Sequence, residues 1–108
     1  MNTIEHAINE LLEAVKQSRE YKEYRYQLEK INMQPELRSQ VDAYRDENFA
    51  LQNNTPDDQL LWQMEQFEEK YRKFRENPLV SDFLAAELAF VRMMQEVNLK
   101  IAEGIQFE

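Results

Sequence analysis

The chain has 108 residues with a formal net charge of −8, no cysteine, one glycine and three prolines. The lack of cysteine excludes disulfides, thiol catalysis and iron–sulfur ligation by this chain. Its acidic balance opposes autonomous nucleic-acid binding, including direct DNA binding, and docking on anionic lipid. Because turns need glycine and proline, the composition favours a few long helices in one domain, residues 1–108.

The start of the chain carries the acidic Glu5 and lacks the basic and apolar layout of a signal peptide. No stretch of about 20 residues is apolar enough to span a bilayer. The nearest candidate, Phe83 to Met94, is short and contains Glu87 and Arg92. We therefore expect a cytoplasmic protein that does not enter membranes.

Apolar residues at helical spacing predict the first two helices. The break between them is expected at Ser18, as a cap or as a kink within one rod. The first stripe consists of Ile4, Ala7, Ile8, Leu11, Leu12 and Val15, and the second of Tyr21, Tyr24, Leu28 and Ile31.

Two proline-started helices are predicted for the middle of the chain. The third helix begins at Gln34-Pro35, since proline suits the first turn of a helix. A loop is predicted over residues 52–58, with Thr55 as N-cap and Pro56 in the first turn of the fourth helix. The third stripe is Leu37, Val41, Tyr44, Phe49 and Leu51, and the fourth is Leu60, Leu61, Met64, Phe67, Tyr71 and Phe74.

The last helix is the most informative segment. It is capped by Asn77, begins at Pro78 and is expected to end near Gly104, a length of about 26 residues or ~39 Å. Its middle is apolar on nearly every side, so it needs burial by other helices of this chain or of another. We expect a homodimer or a higher oligomer through this C-terminal helix, or a hetero-complex of similar chains. The candidate interface or core residues are Phe83, Leu84, Glu87, Phe90, Val91, Met94 and Val97.

Two residues have alternative interpretations. Glu87 lies among apolar side chains, where it either reaches water at the edge or pairs with an arginine such as Arg45 or Arg92. Trp62 is expected to be half-buried, whereas an exposed tryptophan would indicate a contact site.

Few patterns in the sequence indicate a catalytic, metal-binding or nucleic-acid-binding site. His6 shares a helix face with Glu10 and Glu13, but a metal would need further ligands, so a solvated polar face is the favoured interpretation. No catalytic or cofactor-binding residue is predicted, and we expect a protein that is not an enzyme. The basic segment Lys70, Arg72, Lys73 and Arg75 is a candidate contact for RNA or for an acidic partner. The alternative is that these cations complement the negative end of the fourth helix, with Tyr71 and Phe74 in the core.

The order of three motifs resembles the YlbF/YmcA family. Residues 18–24, SREYKEY, with 34–37, QPEL, resemble the opening of that family. The run NPLVSDFLAAE at residues 77–87 is similar to the start of its C-terminal helix, and residues 94–102 fit its continuation. The similarity covers nearly the whole chain, although the motifs are helix caps and core positions.

The resemblance implies an all-α bundle of about four to five long helices that oligomerises. It also implies a non-enzymatic adaptor or regulator in competence, sporulation and biofilm development. The implied partners are the protein itself, YmcA-like and YaaT-like proteins and RNase Y, in mRNA maturation. Iron–sulfur clusters held by cysteines are associated with such complexes, and this chain departs from that pattern because it has no cysteine. There are two alternatives. One is a self-associating structural protein of a sister branch, and the other is a protein that contacts RNA weakly through residues 70–75.

Overall fold

The computed structural model describes residues 2–105, and these residues form helices connected by very short links. The predicted all-α class is confirmed, with six helices in the described range rather than four to five. The helices are α1 (Asn2–Gln17), α2 (Arg19–Asn32), α3 (Pro35–Asn54), α4 (Asp57–Lys70), α5 (Arg72–Glu76) and α6 (Pro78–Ile105).

Ser18 separates α1 from α2, as its sequence context predicts. Its hydroxyl donates to the Val15 carbonyl and accepts the Tyr21 amide proton at 3.1 Å. The side chain thus satisfies one of the amides that every helix start leaves unpaired. The Lys22 amide bonds to the Ser18 carbonyl at 3.1 Å, so Ser18 is the N-cap of α2.

The predicted loop at residues 52–58 is wrong except at residues 55 and 56, because α3 continues to Asn54 and α4 begins at Asp57. Asn53 donates its side-chain amide to the Phe49 carbonyl at 2.8 Å, which satisfies a carbonyl near the end of the helix. Thr55 is consequently the C-cap of α3 rather than the N-cap of α4. Pro56 takes the N-cap position of α4, with no side-chain cap hydrogen bond.

The extra helix arises at Tyr71, which interrupts the predicted fourth helix. Tyr71 has φ −101° and ψ 8°, outside helical values, and the five-residue α5 follows it. The predicted start of α6 is confirmed, since Asn77 accepts the Leu79 amide proton on its side chain at 3.0 Å. Helix α6 has 28 residues, about 42 Å, and passes through Gly104 to the end of the described range.

The residue contacts divide the chain into two compact units. The first contains residues 1–28 and 83–108, and aromatic rings join its α2 and α6 segments. Tyr24 lies 6.1 Å from Phe83 and 5.2 Å from Phe90 between ring centroids, and Tyr21 lies 5.6 Å from Phe90. Phe83 is completely buried, so these rings form the core of this unit.

The second unit, residues 29–82, holds the α3–α4 hairpin and α5. Tyr44 on α3 lies within 6 Å of the ring centroids of Phe67, Tyr71 and Phe74. Such ring pairs add stabilisation beyond the area that they bury. Ile31, Val41 and Val80 are also fully buried in this unit.

Candidate interaction surfaces

The residues predicted for the α6 interface lie at different depths. Phe83 is fully buried and Val91 is exposed, while the others are half-buried: Leu84, Glu87, Phe90, Met94 and Val97. Phe83 and Phe90 contact the α2 rings within the chain. The structure therefore separates these two residues from the part of α6 that remains open to a partner.

A second apolar stripe runs along α6 on a face other than the one that carries Phe83 and Phe90. Leu84, Leu88, Val91 and Leu99 follow one another at intervals of four, three and eight residues, which keeps them on one side of a helix. Leu88 is 49% exposed, Val91 43% and Leu99 56%. Sequence reasoning missed Leu88 and Leu99, although the four-and-three spacing from Leu84 is a signal that could have found them.

Helix α1 belongs to the same unit and also presents apolar side chains to solvent. None of its residues is buried, and its apolar stripe is exposed at Ile4, Ile8, Leu11 and Leu12. Isolated helices of about this length are only marginally stable in water, and most helices in proteins are stabilised by packing an apolar face. The α1 stripe and the α6 stripe are therefore two apolar stripes of this unit that are exposed to solvent.

The α3–α4 hairpin carries one connected polar cluster, centred on Glu47. Lys70 lies 2.8 Å from one Glu47 carboxylate oxygen, and the Tyr71 hydroxyl donates to the other. The hydrogen bond from Lys70, followed by that from Tyr71, lowers the pKa of Glu47. The hydrogen bond to Glu47 raises the pKa of Tyr71 to about 12. The cluster joins the end of α4 to α3.

The basic segment at residues 70–75 is interleaved with acidic partners. Lys70 binds Glu47, and Arg72 lies 3.4 Å from Glu69. Arg72 and Arg75 line an open groove whose other members are all glutamates: Glu65, Glu68, Glu69 and Glu76. Tyr71 and Phe74 pack on Tyr44. This arrangement favours the interpretation in which the aromatics belong to the core and the cations face carboxylates rather than phosphates.

Trp62 is 59% exposed, so the prediction that it would be half-buried is wrong. Successive helix residues turn by about 100°, and α4 is anchored through Phe67, which is 8% exposed. Trp62 lies five residues before Phe67, or about 140° away around the helix. It therefore shares the solvent side of α4 with Leu61, which is 74% exposed.

His6 lies at the solvent surface of α1. Its Nε2 is 2.9 Å from an oxygen of Glu10, and both side chains are at least 70% exposed. Across residues 2–105, no group of three or more His, Cys, Asp or Glu side chains is arranged to hold a metal ion. In the same range, no helix is both long and apolar enough to cross a membrane.

The fold and these surfaces define an all-helical protein with exposed apolar side chains on α1, α4 and α6. A sequence model of the family described as control of competence regulator ComK, YlbF/YmcA, matches residues 4–106. The chain belongs to this family, which is involved in competence regulation. The family resemblance of the sequence motifs is thereby confirmed.

A distant relative supports the family assignment. The chain is similar to a UPF0342 protein of Caldicellulosiruptor bescii, at 23% identity over 101 residues. The match covers 92% of this chain and 85% of that protein. No solved structure matches the chain.

Proposed function

We propose that this protein is a non-enzymatic helical adaptor that associates with itself and with other regulatory proteins. The observation that carries the proposal is the exposure of apolar side chains on α6 and α1 of the first unit. Three large residues on one side of α6, Leu88, Val91 and Leu99, are between 43% and 56% exposed, and α1 has no buried residue. Exposed apolar patches of this kind mark protein–protein contact sites.

The occupant that fits the α6 stripe is another long helix with a similar stripe. A stripe that repeats at intervals of three and four residues is the pattern by which parallel or antiparallel helices interdigitate. A second copy of this chain supplies such a helix, and a twofold dimer would pair the stripe with itself. YmcA-like or YaaT-like relatives with similar helices are the further partners that we propose.

Support for the proposed cellular role comes from the family rather than from the surfaces. Membership in a family that controls competence supports a regulatory role. We propose that the complexes assist RNase Y in mRNA maturation, and thereby affect competence, sporulation and biofilm formation. Because the basic segment faces carboxylates, this role rests on protein contacts and not on direct RNA binding by residues 70–75.

The test is affinity purification of the tagged protein from its native cells, with and without RNase, followed by mass spectrometry. Recovery of YmcA-like or YaaT-like proteins or of RNase Y in both samples is the expected result. Recovery of the protein alone would remove the RNA-processing role and leave a self-associating protein. Loss of the partners only after RNase treatment would show that RNA, rather than a protein surface, bridges the complex.

A Leu88→Glu variant carried through the same purification separates self-association from partner binding. The substitution places a charge in the exposed stripe without touching the α2–α6 aromatic core. If the partners use the α6 stripe, the variant loses them. If they remain bound to a variant that no longer associates with itself, the partner site lies on another surface.

A further inference from the structure

Helix α4 presents two different faces. Its inner face is anchored by the buried Phe67 and by the half-buried Leu60 and Met64. Its outer face carries Leu61 and Trp62, which are 74% and 59% exposed. Exposure of adjacent leucine and tryptophan side chains to water is unfavourable, because burial of their apolar surface lowers the free energy. Tryptophan is also among the residues most enriched at binding hot spots.

The charge of helix α4 itself is strongly one-sided. Helix α4 carries five carboxylates and a single cation, Lys70, which Glu47 already binds at 2.8 Å. All five carboxylates are exposed: Asp57, Asp58, Glu65, Glu68 and Glu69. The outer face continues into the open groove where Glu65 and Glu68 face Arg72 and Arg75.

We propose that the outer face of α4 is a docking site for a basic amphipathic helix of a partner protein. Leu61 and Trp62 receive the partner's apolar side chains, and the carboxylates receive its lysines and arginines. A second copy of this chain fits poorly, because it carries a net charge of −8 and would bring like charges together. Nucleic acid is repelled for the same reason. This surface belongs to the unit of residues 29–82, whereas the residues of the α1 and α6 stripes belong to the other unit.

The chain provides its own reporter for the test, since Trp62 is its only tryptophan. The probe is a synthetic peptide of about 18 residues, with leucines at helical spacing on one face and lysines on the other. Titration into the full chain is expected to shift the Trp62 emission to shorter wavelength and to saturate. Raising the salt from low to physiological concentration is expected to weaken binding, since the charges at this rim are exposed.

Variants that keep the tryptophan distinguish docking from non-specific attraction. Leu61→Ala is expected to weaken binding by about tenfold, because it removes an apolar contact of roughly one leucine side chain. Glu65→Gln with Glu68→Gln is expected to weaken binding at low salt. The matched control, Glu5→Gln with Glu13→Gln on α1, removes the same charge and is expected to bind as the unchanged chain does.

Several outcomes would overturn the proposal. One is the absence of any emission shift. Another is an equal shift with a peptide in which glutamates replace the lysines. A third is equal weakening by the α1 control pair. An emission shift that appears on raising the protein concentration without peptide would assign this face to a second copy. None of these results bears on self-association through α6, which is measured separately.

Discussion

Leu88 is the residue at which self-association can be tested with the smallest disturbance of the fold. It is 49% exposed, and it lies on the stripe of α6 that faces away from the α2 rings. Its neighbour Ala89 is also exposed but points about 100° further around the helix. Leu88→Glu and Ala89→Glu therefore add the same charge at adjacent positions, and only the first alters the stripe.

The size of the effect follows from the exposed half of Leu88. Complete burial of a leucine side chain contributes about 1.5–3 kcal/mol, so the half that remains exposed can contribute about 1 kcal/mol on association. A twofold dimer buries this residue twice, and truncation to alanine should therefore cost about 2 kcal/mol, or roughly 30-fold in the dimer dissociation constant. Leu88→Glu should cost more, because two carboxylates would lose water without a partner.

Sedimentation equilibrium over a wide range of protein concentrations measures this dissociation constant directly. We expect the unchanged chain and Ala89→Glu to associate with similar affinity, and Leu88→Glu to remain monomeric with unchanged helicity. The reasoning is refuted if Leu88→Glu associates as tightly as the unchanged chain does. A chain that is monomeric at every concentration would refute the α6 stripe as a self-association surface.

Two further predictions concern the aromatic core of the first unit and the polar cluster of the second. Phe83→Ala should lower the free energy of unfolding by about 3–5 kcal/mol in denaturant titrations, because Phe83 is fully buried against Tyr24. The control Ala85→Gly, at an exposed site of the same helix, should lower it by about 1 kcal/mol. Equal losses in the two variants would contradict the packing argument. Glu47→Gln should lower the pKa of Tyr71 from about 12 towards 10, as read from the NMR shifts of labelled tyrosine rings. Because that pKa is raised in the folded protein, the stability linked to Tyr71 is present below pH 10 and is lost as the pH rises towards 12. The variant should lose less stability in this range than the unchanged chain, and an unchanged pKa would show that the Glu47 contact is not maintained in solution.

The helix boundaries that the sequence predicts correctly are those with a local chemical signal. Ser18, Gln34-Pro35 and Asn77-Pro78 each change the backbone or its hydrogen bonding within one turn, so the signal and the boundary coincide. At residues 52–54 the local signal is misleading, because asparagine favours turns but its side chain can also bond to the backbone along a helix, as that of Asn53 does. The break at Tyr71 has no proline or glycine, and it accompanies contacts with Glu47 and Tyr44 that lie far away in sequence.

The surfaces were harder to predict than the helices. Apolar periodicity identifies which residues avoid water, but it does not tell whether they pack within the chain or on another one. Phe83 and Val91 illustrate this, since both belong to the predicted interface and yet one is fully buried and the other 43% exposed. The difference depends on where α2 meets α6, which is a tertiary contact. Trp62 is similar, because its exposure depends on which side of α4 packs through Phe67.

The two proposed surfaces should respond to salt in opposite directions, which provides a test that needs no variant. Self-association brings together chains of charge −8 through an apolar stripe, so screening of the repulsion should strengthen it. Docking on α4 relies on attraction between exposed opposite charges, so the same screening should weaken it. We expect the dimer dissociation constant to fall and the peptide dissociation constant to rise as salt increases from low to physiological concentration. If both dissociation constants rise with salt, self-association is driven by charged contacts and not by the apolar stripe of α6. If both dissociation constants fall with salt, the carboxylates of α4 contribute nothing to peptide binding, and docking depends on Leu61 and Trp62 alone.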